Sequence, residues 1–415
     1  MNLLYLAHCV PSDPDKGDRI RAFHELCHLA ARHRVRCLCL GAQPGDGERA
    51  RDLRRLLPDA EVFPIRRPAA LWRCLRCLPG RTPFTLGYFR SRSMARRVRE
   101  LHGSGAFDAV IAYCTASAPY AVALRGVPRL LDMVDVDSAK WSAAADLASP
   151  ARRVVYRQEA VRLSRYERRI STRFDRVFVT TSREAGLLRR LAPAARVERI
   201  ANGIDGSRFA RRRGIEATAP TLVFTGQMDY FPNVDGMVAF VHRVWPELKR
   251  RLPALRLRIV GRSPAPAVRS LERFDGVEVT GEVDDVVPHL SQAWVFVAPL
   301  RLARGVQNKV LEAMACELPV VCSGPVMAGL EDGLDGGAGG PLVANEPAEW
   351  ASLIEGLVGD EERRRALGSL GRQAVLAAFD WSSSMERLEA ALEEAVGLSP
   401  ESAEPSGRST AFAGA

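Results

Sequence analysis

The chain has 415 residues, 47% hydrophobic and 26% charged, a length for two or three domains and a composition that excludes disordered, collagen-like and coiled-coil proteins. No apolar run reaches the about 18–20 residues of a membrane-spanning helix, and nine scattered cysteines argue against a disulfide framework and for a reducing, cytoplasmic setting. The net charge of +10 hides a division: residues 1–213 hold 41 of the 59 Lys+Arg and 21 of the 49 Asp+Glu, a net of +20, and the remainder nets −10.

Residues 1–10 open without a basic segment and read as a first buried strand rather than a signal peptide. Further apolar runs of strand length follow at 35–40, 61–65, 108–113, 129–133, 176–180 and 197–201, with helical spacing at 20–31 and 94–101. A polar stretch, 205–220, leads to a second series at 221–225, 255–260, 277–280, 294–298 and 319–322. Such alternation implies right-handed βαβ units and parallel sheets covered on both faces. The expectation is an α/β chain of two doubly wound, Rossmann-like domains, 1–205 and 206–380, facing a cleft. Apolar positions on one face of 385–396 make 381–398 a docking helix, and the small, polar stretch 399–415 reads as a disordered tail.

Three strands of the second block run into glycine, at Gly226, Gly261 and Gly281. Ligands in open parallel sheets bind beyond the carboxyl ends of strands, although glycines also make plain turns. The segment 298–315, APLRLARGVQNKVLEAMA, carries the most information. A strand ends at Pro299, a loop carries Arg301, Arg304 and Gly305, and a helix starts near Gln307 and Asn308. Lys309 falls in its first turn, with Glu312 three residues on and on the same face. Free N–H groups at a helix start, a lysine and two arginines suit an anion such as a diphosphate. A carboxylate one turn deeper suits vicinal ribose hydroxyls. A surface ion pair at a helix start is the plain alternative.

GVQNKVLEAMACELPVV resembles the donor-nucleotide helix of GT-B glycosyltransferases of family 4, the glycosyl transferases group 1. Asn202-Gly203-Ile204-Asp205 is similar to the Asn-Gly-Val-Asp that closes that family's N-terminal domain. Thr225 to Met228 with Pro232-Asn233, Val260-Gly261, and Gly281 with Asp284 and Asp285 fall in family order. PDKGDRIR and VDVDSAKW bring the chain nearest to bacterial sugar transferases associated with exopolysaccharide and PEP-CTERM/exosortase loci. The resemblance covers nearly the whole chain. It implies a GT-B fold, retention of anomeric configuration, and a nucleotide-sugar donor held by Gly226, Gln227, Asn233, Gly261, Arg304, Gly305, Gln307, Asn308 and Glu312. Two departures stand out. Arg304 occupies the position where the family often has the first of two glutamates, and Gln227 and Asn233 replace its frequent Arg and Lys. Arg301, Arg304 and Lys309 are then left to neutralise the leaving diphosphate.

On the N-terminal side, Lys16 to Arg21 follows the first strand and opens a helix. Its position and glycine match the family's acceptor loop, which implies Gly17, Arg19 and Arg21 at the acceptor; a solvated loop with a helix cap is the alternative. His8 either reaches the cleft or is a core histidine. Asp132, Asp135 and Asp137 lie where a strand meets a helix containing Lys140 and Trp141. Asp135-Val136-Asp137 reads superficially as the metal-binding Asp-x-Asp of the other large glycosyltransferase fold. The basic segment around Lys309 already supplies the counter-charge, however, and GT-B enzymes need no metal, so neither metal nor cofactor is expected. Asp135 is expected to orient or deprotonate the acceptor hydroxyl, and Asp137 to line the acceptor side or cap the helix. Cys74-x-x-Cys77 lacks a second pair at zinc spacing, and Cys37 and Cys39 read as core.

The basic excess concentrates in 66–99 and 152–199, which implies either an anionic partner or solvated helix faces. The combined reading is a retaining glycosyltransferase with Asp135, Lys309 and Arg301 as catalytic residues. Its acceptor would be a saccharide or a polyprenyl-diphosphate-linked saccharide in exopolysaccharide assembly. The enzyme would be cytoplasmic and peripheral, with the N-domain against the anionic inner face of the plasma membrane. A sugar-nucleotide 2-epimerase on the same fold and a nucleic-acid-binding protein are the alternatives. The last lacks any groove-reading motif, so no nucleic-acid partner is expected.

Overall fold

A computed structural model describes residues 1–12, 17–43, 45–215, 217–334, 337 and 339–397. Lys16 and the expected tail, 399–415, lie outside the described residues. The first seven strands are β1 (Asn2–Ala7), β2 (Arg34–Gly41), β3 (Glu61–Pro64), β4 (Ala109–Tyr113), β5 (Arg129–Val134), β6 (Arg176–Val179) and β7 (Val197–Arg199). They form one parallel sheet in the order β3-β2-β1-β4-β5-β6-β7. A second parallel sheet, ordered β10-β9-β8-β11-β12-β13, contains β8 (Thr221–Thr225), β9 (Arg256–Val260), β10 (Val277–Gly281), β11 (Val295–Ala298), β12 (Val320–Cys322) and β13 (Leu342–Val343).

The central strands are buried at every position, as in β4 and β8, because helices cover both faces of a parallel sheet. In each sheet the strand order reverses at one point, between β1 and β4 and between β8 and β11. Such a switch point leaves a crevice beyond the carboxyl ends of the strands. Side chains beyond Ala7 and Tyr113 on one sheet, and beyond Thr225 and Ala298 on the other, therefore gather at the crevices.

The chain crosses to the second domain and then returns. Ile204 bridges Asp380, and the Asp380 carboxylate caps the last helix, Trp381–Val396, by accepting from the Ser383 N–H at 2.9 Å. Trp381, Met385, Leu388, Ala391 and Leu392 of this helix enter the core of the first domain beside Leu3, Tyr5, Ile111 and Phe178. Burying a large apolar side chain contributes about 1.5–3 kcal/mol, so this helix, continuous with the second domain, anchors it in the core of the first.

Candidate functional site

On the second sheet, β8 ends at Gly226, whose backbone is approached from two sides. A Cβ there would lie 2.9 Å from Lys309 Nζ and 2.8 Å from Asn233 Nδ2, and one on Gly261 would sit 1.6 Å from the Gly226 carbonyl. Only glycine permits these contacts. Lys309 lies in the first turn of the helix Asn308–Ala315, which begins where β11 and its loop end. Its ammonium donates to Asn233 Oδ1 at 2.6 Å and sits 4.6 Å over the Phe224 ring. Burial lowers its pKa to about 7, with Glu312 acting in the opposite direction. Asn233 in turn donates to the Gln227 carbonyl at 2.8 Å. The Gln227 side chain is turned to Asp229, while that of Gln307 donates to the Arg304 carbonyl at 2.9 Å. The result is a small polar crypt at a helix N-terminus, built from Lys309, Asn233 and the backbone of Gly226 and Gln227.

On the first sheet, β5 slips register between Asp132 and Val134. Val134 sits in the left-handed region at φ 67°, costly for a β-branched residue and held by a bond from its N–H to Asp132 Oδ1 at 2.9 Å. This turn presents Asp135. Its carboxylate accepts from Thr180 Oγ1 at 3.0 Å and pairs with Lys140 Nζ at 2.8 Å. Asp137 lies 3.7 Å from the same ammonium. Burial works against the Lys140 charge, but the two carboxylates outweigh it and hold its pKa well above the ordinary value. Glu184 accepts from the Val136 N–H at 2.8 Å, and Glu167 accepts from the Ser138 N–H at 2.9 Å, with burial raising its pKa to about 7.

The two sides meet. Arg304 reaches Glu184 at 3.2 Å, Asn202 donates to Asn308 Oδ1 at 2.9 Å, and Gly305, at φ +60°, lies so near Asp135 that a Cβ would come within 2.2 Å of Oδ1. Beside this junction is a cavity of about 410 Å³. Ala143 and Arg183 line it from the first domain, and Arg301, Arg304, Gly324 and Pro325 from the second.

Several expected site residues sit elsewhere or are otherwise engaged. Gly17 opens the helix Gly17–Arg32, but Arg19 and Arg21 are fully buried, which corrects their expected place at the acceptor. Arg19 pairs with Asp46 at 2.9 Å. Arg21 pairs with Asp132 at 2.6 Å and with Glu25 at 3.2 Å, and donates to the Ile200 and Ala201 carbonyls and to Asn202, since a buried guanidinium is kept in a core by paired carboxylates and hydrogen bonds. His8, just past β1, packs its ring against Phe89 and Tyr113 at 5.3 and 6.0 Å. Asp137 is the first residue of the helix Asp137–Leu147 rather than its cap, which is Val136. Arg301 is paired with Asp235 and Arg304 with Glu184, so two of the three cations expected at a diphosphate already face carboxylates. Thr180, Glu184 and Arg183 were not read from the sequence. The signal for them is Thr180-Thr181-Ser182 at the end of β6, where Thr181 caps the helix Ser182–Leu191.

Two facing doubly wound domains, with a polar crypt on one and a carboxylate–lysine pair on the other, define the GT-B architecture. Residues 20–203 match the family described as Glycosyl transferase 4-like domain, and residues 219–360 match Glycosyl transferases group 1. Together these matches place the chain with GT-B glycosyltransferases of the family 4 type. It is 30% identical over 254 residues to a D-inositol 3-phosphate glycosyltransferase of Nocardia farcinica, covering 54% of this chain and 53% of that one. It is 28% identical to a GDP-mannose-dependent alpha-(1-6)-phosphatidylinositol monomannoside mannosyltransferase of Mycolicibacterium smegmatis, covering 53% and 63%. The match thus spans half to two thirds of the length of these relatives. Among solved structures, a sucrose-phosphate synthase of Thermosynechococcus elongatus superimposes with a TM-score of 0.72 at 18% identity over 96% of this chain and 100% of that one. Anabaena HepE in complex with UDP and glucose does so with a TM-score of 0.69 at 14% identity over 95% and 100%.

Proposed function

We propose that the chain is a retaining glycosyltransferase that needs no metal. It moves a sugar from a nucleoside-diphosphate sugar on the second domain to a hydroxyl of a saccharide or lipid-linked saccharide held against the first. The observation that carries this reading is that the loop leading into the Lys309 helix meets Asp135, the partner of Lys140, at Gly305. As the bond from the anomeric carbon to the diphosphate breaks, the helix N-terminus and Lys309 receive the growing negative charge. Gly226 and Gly261 let the backbone approach the nucleotide, and Glu312 takes the ribose hydroxyls. Asp135, oriented by Lys140 and Thr180, aligns or deprotonates the acceptor hydroxyl at the junction. The acceptor oxygen bonds to the anomeric carbon on the face the diphosphate leaves.

A membrane-linked acceptor is supported by the basic first half and by the relative named for a phosphatidylinositol monomannoside acceptor. The exopolysaccharide setting rests on PDKGDRIR and VDVDSAKW, whereas the relatives above are named for inositol phosphate and phosphatidylinositol mannoside substrates. Thermal shift against a panel of nucleoside-diphosphate sugars tests the donor site, since a ligand bound to the native state raises its apparent stability. One nucleotide sugar should raise Tm, and labelled sugar from it should then pass to a lipid extract. A panel that leaves Tm unmoved throughout would remove the donor site. Free conversion of the nucleotide sugar without transfer would turn the reading to an epimerase.

A further inference from the structure

In the first domain, the helix Arg67–Arg76 is turned the wrong way round for a soluble surface. Ala70 is buried, and Arg73 points inward to donate to the Gly87 and Tyr88 carbonyls at 2.9 Å. The outward side, at a spacing of three and four, carries Leu71, Trp72 and Leu75, with Leu78 just beyond, and these are 51, 66, 58 and 52% exposed. Next to it runs the helix Pro150–Ser171, on which Val154, Val155 and Val161 are exposed. The two are fastened together: Arg162 donates to the Cys77 and Leu78 carbonyls at 3.0 and 2.8 Å, and Glu159 accepts from the Phe84 and Thr85 N–H groups. Six of the twelve large apolar side chains exposed among the described residues fall on these two helices, and a seventh, Leu78, lies two residues beyond the first. That is a patch rather than scatter.

Charge decides what covers it. Arg66, Arg67, Arg76 and Arg81 rim the first helix, exposed and outside every ion pair among the described residues. The same elements lie in the two basic runs of the sequence. A second copy of the chain would bring these arginines against their own kind, and a nucleic acid has no use for leucine and valine. An anionic bilayer satisfies both: leucines and valines enter the acyl boundary, Trp72 sits at the headgroup level, and the arginines reach phosphates on flexible apolar stems. We propose that Leu71, Trp72, Leu75 and Leu78, with the exposed valines of the helix Pro150–Ser171, form a wedge that seats the first domain in an anionic lipid surface. This deepens the membrane reading above by replacing bulk charge with a specific insertion element. The helix Pro150–Ser171 also packs Tyr156 edge-on to Trp141 at 5.0 Å, and Trp141 neighbours Lys140, so the bilayer would lie one helix from the acceptor side.

The test uses the full chain and vesicles of phosphatidylcholine, with or without phosphatidylglycerol. Wild type should co-sediment with the anionic vesicles, and the Leu71→Gln/Trp72→Gln/Leu75→Gln variant should bind about tenfold or more weakly. Its nucleotide-sugar binding should be unchanged, because the replaced side chains are solvent-exposed and remote in the fold from Lys309. Trp72 emission should shift to the blue and be quenched by brominated lipid, a change lost in Trp72→Phe. Vesicle binding that persists in the triple variant but disappears in high salt would overturn the wedge and leave the electrostatic reading standing. No binding by wild type at low salt would overturn both while leaving the donor site to its own titration. A concentration-dependent dimer dispersed by the same substitutions would assign the patch to a second copy and overturn the proposal.

Discussion

Lys309 is one of four lysines in a chain with 55 arginines, and an arginine could not do what its position asks. A guanidinium stays charged at every working pH, whereas a buried ammonium shifts. With its pKa lowered to about 7 by burial, Lys309 is largely neutral in the empty crypt above that pH. An arriving diphosphate favours the charged form, so donor binding above pH 7 should take up a proton. Donor affinity should therefore fall as pH rises from 7 to 9, by at most about tenfold per pH unit, and calorimetry in buffers of different ionisation heat measures the uptake. Lys309→Gln should flatten this dependence, and Lys309→Ala should weaken donor binding by about 1.5–3 kcal/mol, the worth of a charge-assisted contact. Binding by both variants that matches wild type at every pH would place the diphosphate elsewhere. Glu312→Ala should lower turnover with the fold intact.

At the scale of single elements, the end of β5 shows what the sequence conveys and what it hides. All twelve expected strands are present, because apolar runs between turn residues declare themselves locally; β13 was missed because two residues carry no periodicity. The donor helix was legible for the same reason, in a run of adjacent letters. The partners of Arg21 were not, since Asp132 lies 111 positions away and only the sheet brings it near. Breaking such a buried pair from one side costs about 3–5 kcal/mol. Arg21→Ala should therefore lower Tm steeply and leave the KM for acceptor unchanged in whatever protein remains folded; a raised KM at normal Tm would return Arg21 to the acceptor. The bend at Val134 also bears on metal. Lys140 holds its ammonium against both Asp135 and Asp137, the place a divalent cation would occupy. Transfer activity should accordingly survive EDTA, and complete loss restored by Mn²⁺ would make the two aspartates metal ligands.

Across the whole molecule, the cleft is fastened at few points, and Gly305 is the tightest of them. The loop bearing it comes from the second domain, the carboxylate it touches belongs to the first, and Arg304 beside it clasps Glu184. Burial and the nearby Asp135 raise the Glu184 pKa, while the Val136 N–H and Arg304 act against them. A methyl at Gly305 would meet Asp135 at 2.2 Å and would require a backbone conformation that L side chains rarely adopt. Gly305 lies in the loop between β11 and the helix Asn308–Ala315, where the two domains touch, so the strain has an outlet: the domains can move apart. Gly305→Ala should thus lower transfer at least about tenfold, since a misplacement near 1 Å at reacting groups can cost about 10²-fold, and widen the molecule in small-angle scattering. Because the crypt itself is untouched, nucleotide affinity should change little. Glu184→Gln, which removes the charge but not the shape, should loosen the same junction less and restore nothing when combined with Gly305→Ala, because the Arg304–Glu184 and Gly305–Asp135 contacts are neighbours in one junction and their effects should not add. Full transfer activity in Gly305→Ala with unchanged dimensions would mean that the Asp135–Gly305 contact has no part in closing the site.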